Sequence, residues 1–279
     1  MKKKNIGLDI VKTLVLILIM VFLLFPIYWM VVTAFKTNME AYLFPPTLFP
    51  RELTWASFSS LLHENNQFFV YYRNNFIVSA ASALISTVVA LLSGYGLSRF
   101  HFKWNRWILA ALLSSQMFPV VSRMISLYGI LGKIHLINTL QGLILAVVAA
   151  QIPFCVMLMS SFYDAIPVEL EEAARVDGAK RFQTLFRVIV PLVKPGILAV
   201  AIYSFLMTWD DYLHAATLIQ NDALRTLSVG IALRYLGELS YDWSLVNAIS
   251  VVGALPMVLL FIFFQKYMVK GLVAGAVKG

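Results

Sequence analysis

The sequence predicts an all-α integral membrane protein with six transmembrane helices and a cytoplasmic loop between the fourth and fifth spans. Three observations carry that reading. The chain of 279 residues is 60% hydrophobic, has a mean hydropathy of +0.80 and is only 13% charged, whereas a soluble domain carries about a quarter charged residues. Six apolar segments come close to the roughly 20 helical residues that cross a bilayer core of about 30 Å. Between two of them lies a polar, helix-forming stretch of 29 residues, 167–195, unlike anything else in the chain.

The spans fall near residues 14–35, 76–97, 107–129, 139–162, 196–217 and 246–267. The first follows Lys2, Lys3 and Lys4, as a signal peptide would. Its apolar run is too long for one and no small-residue cleavage site follows, so it reads as an uncleaved span. Pro26, Pro119, Pro153 and Pro256 interrupt four of the spans. Such kinks are tolerated where neighbours satisfy the freed carbonyls, and they either border a cavity or reflect irregular packing.

The basic residues set the orientation. With the N-terminus inside, fifteen of the 22 lysines and arginines fall on the inner side, among them Arg99, Arg175, Lys180, Arg181, Arg187 and Lys266. The positive-inside rule therefore places both termini and residues 167–195 in the cytoplasm. The same distribution accounts for the net charge of +8 without nucleic acid, because no basic patch forms. Cys155 stands alone in an apolar stretch, so there is no disulfide framework. On the outer side, residues 36–73 contain Pro45, Pro46 and Pro50, and Trp55 and Phe58 suggest packing on the membrane surface. A second outer loop, 220–242, contains a possible short helix over 227–236. The whole chain, 1–279, reads as a single transmembrane domain, with a cytoplasmic loop at about 163–191 and a tail at about 268–279.

Within the polar stretch, Pro167 suits a first helical position. Glu169, Glu171 and Glu172 then occupy the turns where the helix dipole favours negative charge. Glu171 and Arg175 have the i, i+4 spacing of a helical ion pair, and Gly178 after Asp177 suits a left-handed cap. A helix of about ten residues is expected, with a shallow face of Leu170, Ala173, Ala174 and Asp177. A second helix over 180–190 carries Phe182, Leu185, Phe186 and Ile189 at i, i+3, i+4, i+7, an apolar stripe expected to anchor beneath the bundle. Pro191 should stop it, and Pro195 should open the next span.

Glu172-Ala173-Ala174, three residues and Gly178 resemble the signature cytoplasmic loop, the EAA motif, of bacterial ABC importer permeases. Val188-Ile189-Val190-Pro191 follows where that family usually has Ile-x-Leu-Pro, with two conservative departures. The longer run through Asp177-Gly178-Ala179 is similar to the carbohydrate branch, and to the smaller permease subunit of maltose-type systems. Ile137-Asn138-Thr139-Leu140, Gly142-Leu143-Ile144-Leu145, Leu224-Arg225-Thr226-Leu227 and the terminal Gly275-Ala276-Val277-Lys278-Gly279 support that branch. The resemblance implies a permease subunit that moves a sugar or oligosaccharide into the cytoplasm by alternating access. Its implied partners are a homologous second permease, two cytoplasmic ATP-hydrolysing subunits and an extracytoplasmic sugar-binding protein. The coupling helix that docks the ATPase would comprise Glu172, Ala173, Ala174, Asp177, Gly178 and Ala179. The small, flexible tail from Gly271 would reach between the ATPase subunits. The setting implied is the bacterial cytoplasmic (inner) membrane.

No Walker sequence occurs, so hydrolysis belongs to other subunits; no catalytic residue, cofactor or metal ligand is assigned. Arg123, in the outer half of the third span, either contacts substrate, snorkels outward or pairs with an acid such as Asp210. Asp210 and Asp211, beside Trp209 and Tyr212, either grip a polyol or anchor the interface. Gln116, Gln151 and Asn247 read first as interhelical hydrogen-bond partners. No substrate residue is assigned. Other readings stay open: an ABC permease for a non-sugar solute such as glycerol phosphate or a polyol, an ion-coupled carrier, or a membrane-embedded enzyme. The enzyme would need more than Glu171-Glu172-x-x-Arg175, one residue short of a protease spacing, and four scattered histidines, His63, His101, His135 and His214.

Overall fold

The computed structural model describes residues 6–63, 66–100, 103–236 and 241–276. These are helices and connections, and no strand occurs among the described residues. In chain order the helices are α1 (Ile6–Ala34), α2 (Asn38–Ala41), α3 (Ala56–His63), α4 (Asn66–Arg99), α5 (Asn105–Met117), α6 (Val120–Lys133), α7 (Leu140–Asp164), α8 (Glu169–Val176), α9 (Arg181–Thr184), α10 (Val190–Leu192), α11 (Lys194–Trp209), α12 (Leu213–Leu218), α13 (Leu227–Gly230) and α14 (Trp243–Ala276). Wider π turns follow α9, at Leu185–Ile189, and α13, at Ile231–Tyr235. The helix expected over 227–236 is thus half α and half π.

Four helices are long and apolar enough to cross a membrane: α1 from Asp9, α4 from Gln67, α7, and α14 as far as Gln265. The count rises to six if each of two bent pairs makes one span. The third expected span is not a kinked rod. Trp107–Met117 and Val120–Lys133 meet at 104°, because Pro119 has no N–H to continue the ladder and Phe118 before it is pushed to an extended conformation, φ −73° and ψ 133°. The second pair, Arg181–Leu192 and Lys194–Trp209, bends by 77°. The fifth span also ends earlier than expected, at Trp209, with α12 as a separate turn. Pro26, Pro153 and Pro256 are absorbed inside continuous helices.

Contacts divide the chain into two compact units. One runs as far as Phe69 and takes in Ile231–Leu255. The segment that follows α1 folds on itself. Trp55 stands edge-on to Phe35 at 4.9 Å, with Phe58 beside both. Lys36, only 2% exposed, lies over the Trp29 ring at 4.6 Å and donates to the Thr47 carbonyl. Glu40 accepts from the Thr47 hydroxyl at 2.6 Å and the Arg51 amide at 2.9 Å. Partial burial pushes the Glu40 carboxyl up, but those two donors and Lys36 outweigh it and hold it below the usual carboxylate value.

The other unit comprises Val70–Gly230 and the chain from Pro256 onward. It has two cores. Val78, Met124, Leu131, Leu143, Leu218 and Val229 belong to the first. Tyr95, Val156, Met159, Leu185, Ile189 and Val200 belong to the second. Each of α4 and α7 enters at the first core and leaves at the second, so these helices run parallel. The α5–α6 pair carries the chain back, with Leu112 against the second core and Met124 and Leu131 in the first. Helix α11 returns the same way: Val200 packs in the second core, and the Trp209 carbonyl accepts from Asn75 near the start of α4 at 3.1 Å.

Candidate functional site

The polar stretch is held by the ends of α4 and α7. Arg99, the last residue of α4, places Nε 2.5 Å from Glu171 Oε1 and donates through a terminal nitrogen to the Ile166 carbonyl at 2.8 Å. Tyr95, one turn earlier, donates to Glu171 Oε2 at 2.8 Å. Ser98 donates to Asp164 at 2.5 Å, and Tyr163 to the Leu91 carbonyl at 3.0 Å. Glu171 is thereby 3% exposed, a buried charge with both carboxylate oxygens satisfied. The expected Glu171–Arg175 pair is replaced by Glu171–Arg99, because Glu171 turns inward while Arg175 lies on the exposed side.

Helix α8 is eight residues long, shorter than expected, and Pro167 precedes its N-cap, Val168. Its end follows the Schellman pattern. Gly178 has φ +84°, its N–H bonds to the Arg175 carbonyl at 3.0 Å, and the Ala179 N–H bonds to the Ala174 carbonyl at 2.9 Å. Of the expected shallow face, Leu170, Ala173 and Asp177 are exposed, but Ala174 is buried. Glu172 is exposed, and Val176 beside it is 88% exposed. A depression of about 310 Å³ lies beyond the turn, lined by Ala174, Asp177, Gly178, Ala179, Gln183 and Arg187 among others.

The second helix departs from expectation. It is α-helical only over Arg181–Thr184 and π over Leu185–Ile189, and Pro191 lies inside the short α10 rather than ending it. Leu185 and Ile189 enter the second core, but Phe182 is 73% and Phe186 50% exposed. The π turn broadens the helix, so the apolar stripe is wider than the buried strip. The two phenylalanines stack on each other at 6.5 Å instead. Arg181 lies 5.0 Å from the Phe100 ring.

The other polar candidates scatter. Gln116 donates across to the Ala150 carbonyl at 3.0 Å. Gln151 joins α7 to α11 through Thr208 at 3.0 Å and through Ser204. Both are the interhelical partners expected. Asn247 bonds within its own helix, to the Trp243 carbonyl at 2.7 Å. Asp211 caps α12 and holds His214 Nδ1 at 2.7 Å, while Asp210 is exposed. Arg123 forms no ion pair with Asp210, and its Nε is buried without a hydrogen-bond partner. The motif residues outside the loop also acquire roles. Asn138, at φ +59°, accepts from the Gln220 and Asn221 amides at 3.0 and 2.8 Å. Asp222 takes the Tyr71 hydroxyl at 2.6 Å and Arg225 at 2.7 Å. His101, Lys2, Lys3, Lys4 and residues 277–279 lie outside the described residues. The expected flexible tail is helical from Gly271 to Ala276.

Arg99 and Tyr95 are the partners that sequence reading misses. They lie 72 and 76 residues from Glu171, and no local spacing relates them.

Residues 84–273 match the family described as "Binding-protein-dependent transport system inner membrane component". The chain is 36% identical to the sulfoquinovosyl glycerol transport system permease protein SmoH of Agrobacterium fabrum, over 92% of this chain and 89% of that one. It is 33% identical to the trehalose/maltose transport system permease protein MalG of Thermococcus litoralis, over 95% and 94%. Among solved structures, a bacterial ABC transporter involved in the import of the acidic polysaccharide alginate superposes with a TM-score of 0.84 at 20% identity, covering 96% of this chain and 98% of that one.

Proposed function

This chain belongs to the family of binding-protein-dependent transport system inner membrane components, and from that premise we propose that it is the permease subunit of an ATP-driven sugar importer. The observation that carries the mechanism is the division of labour within α8. Glu171 is locked inward to Arg99, while Glu172, Ala173 and the Gly178 turn remain exposed. A helix bolted to α4 and bare on its other side is suited to transmit force from a cytoplasmic partner. Glu172, Ala173, Ala174, Asp177, Gly178 and Ala179 form the ATPase-docking element in this reading. Hydrolysis lies with two ATPase subunits. Closure of those subunits biases the bundle between two cavity orientations through their different affinity for the two states.

The whole chain acts as one permease domain with six spans and both termini in the cytoplasm. The opposed chain directions of α4, α5–α6, α7 and α11 support counting each bent pair as a crossing, and the distribution of lysine and arginine supports the orientation. The names of relatives, which include a diacetylchitobiose uptake permease of Streptomyces coelicolor, support a sugar or oligosaccharide as solute. A second permease and an extracytoplasmic binding protein complete the assembly.

The experiment is affinity purification from the native membrane in gentle detergent, with identification of the co-purifying chains. A homologous permease with a Walker-motif ATPase is the expected result. Recovery of this chain alone, with no ATPase, overturns the reading.

A further inference from the structure

The α6 face that carries Arg123 opens on a cavity of about 420 Å³. Its polar lining comes from Ser115 on α5, Ser122, Arg123 and Ser126 on α6, and His214 on α12; the remainder is apolar, from residues such as Phe118 and Leu127. No aspartate or glutamate stands among the lining residues. Arg123 is partly buried, its Nε is enclosed, and no acceptor among the described residues meets it. A guanidinium is charged at every accessible pH. Keeping that one N–H enclosed without an acceptor is costly. Asp211, the acid bonded to the lining residue His214, is already engaged. Its two oxygens hold the His214 amide at 3.1 Å and His214 Nδ1 at 2.7 Å. With Nδ1 donating to that carboxylate, the other ring nitrogen of His214 is released from the pair. The cavity therefore gathers one permanent cation, one imidazole and three hydroxyls against an apolar wall, with no carboxylate among its lining residues.

We propose that this cavity is a solute subsite that takes an anionic group, a carboxylate or sulfonate carried on a saccharide, with Arg123 as the group that pairs with it. The inference rests on the sugar-importer reading and narrows its substrate class to acidic sugars. The planar fork of arginine matches a carboxylate or sulfonate, Ser122 and Ser126 supply hydroxyl partners to sugar oxygens, and the apolar wall receives the less polar face of a pyranose ring.

The test reads the charge of the cavity rather than transport, so it is separable from the importer reading. The purified transporter complex carries Ser126→Cys in a Cys155→Ser background and is placed in nanodiscs of zwitterionic lipid. The rate of thiol modification is compared for an anionic methanethiosulfonate, the ethylsulfonate, and its cationic ethyltrimethylammonium counterpart. The anionic reagent should react about tenfold faster or more, the scale of one partly screened unit charge at close range. Adding Arg123→Gln should bring the two rates together. Equal rates with Arg123 present, or a preference that survives its removal, overturn the proposal. Protection distinguishes the occupant. Glucuronate should slow modification at about a tenth of the concentration that glucose requires, since the two differ only at C6. If instead neither sugar protects and phosphatidylglycerol in the nanodisc does, the anion is a lipid headgroup and the solute subsite is overturned. A failure of the ATPase to co-purify would sink the importer reading and leave the charge measurement standing.

Discussion

Glu171 and Glu172 are adjacent on α8, yet one is 3% exposed between Arg99 and Tyr95 and the other lies on the open side. Their substitutions should therefore fail in different ways. Glu171→Ala leaves Arg99 without its carboxylate, and breaking a buried pair of this kind costs about 3–5 kcal/mol. The purified complex should lose thermal stability. Glu172→Lys should leave the melting temperature of the chain near that of the parent but reduce co-purification of the ATPase. If both variants lose stability alike, the assignment of opposite roles fails. Gly178 sits at φ +84° with no described atom of this chain within 4 Å of its missing side chain, so within the chain itself the penalty of substitution is backbone strain. A β-branched residue is poorly tolerated there, and Gly178→Val should insert normally while uptake falls. Normal uptake would remove the turn from the mechanism. Glu40 offers a pH readout on the segment that follows α1. Its native carboxyl lies below the ordinary 4.5, so its stabilisation is complete above that value and disappears as pH falls through the lower native one. The gap in melting temperature between parent and Glu40→Gln should be widest near neutrality and close on acidification. A gap that widens in acid would contradict the sign.

At the scale of elements, the elbow between α6 and α7 shows what a sequence can and cannot disclose. Thr139 caps α7 by accepting from the Gly142 amide at 3.0 Å, and a Cβ on Gly142 would lie 2.0 Å from the Leu136 carbonyl oxygen. Gly142→Ala must move backbone rather than a flexible side chain. A destabilisation of about 1–3 kcal/mol is expected from the overpacking, measured as a lower unfolding temperature in detergent; an unchanged value would mean that the elbow yields freely. The motifs around Asn138 and Leu224 are legible as resemblance, but their cause is not. Asn138 reaches amides 82 and 83 residues away, and only the folded chain brings them together. Continuous apolar runs were readable because length and hydropathy are local properties, and α1, α4, α7 and α14 follow from them. The π turn at Leu185–Ile189 was not readable, since the i, i+3, i+4 stripe fits an α-helix equally well. The outward Phe182 and Phe186 follow from that miss. The Gly178 cap was legible because a left-handed residue after a helix leaves a residue-type signature. Arg99 as the partner of Glu171 left none.

At the scale of the whole molecule, the topology turns on the 104° pair α5–α6. Helices α4 and α7 both pass from the first core to the second, so the chain must return between them, and α5–α6 is the segment available to do so. Three crossings should then separate the segment around Met39 from the α8 turn around Val176, which puts the two on opposite sides of the membrane. Met39 and Val176 are 86% and 88% exposed, so a cysteine at either should be reactive without disturbing the packing. In a Cys155→Ser background, Met39→Cys should label with a membrane-impermeant maleimide in intact spheroplasts, and Val176→Cys only after permeabilisation. Labelling of both from outside would overturn the three-crossing path, move α8 out of the cytoplasm and with it the contact with an ATPase. The surplus of lysine and arginine on the expected inner side argues for opposite labelling, because loop charge sets orientation through the short segments next to the spans. Residues 167–195 alone carry Arg175, Lys180, Arg181, Arg187 and Lys194.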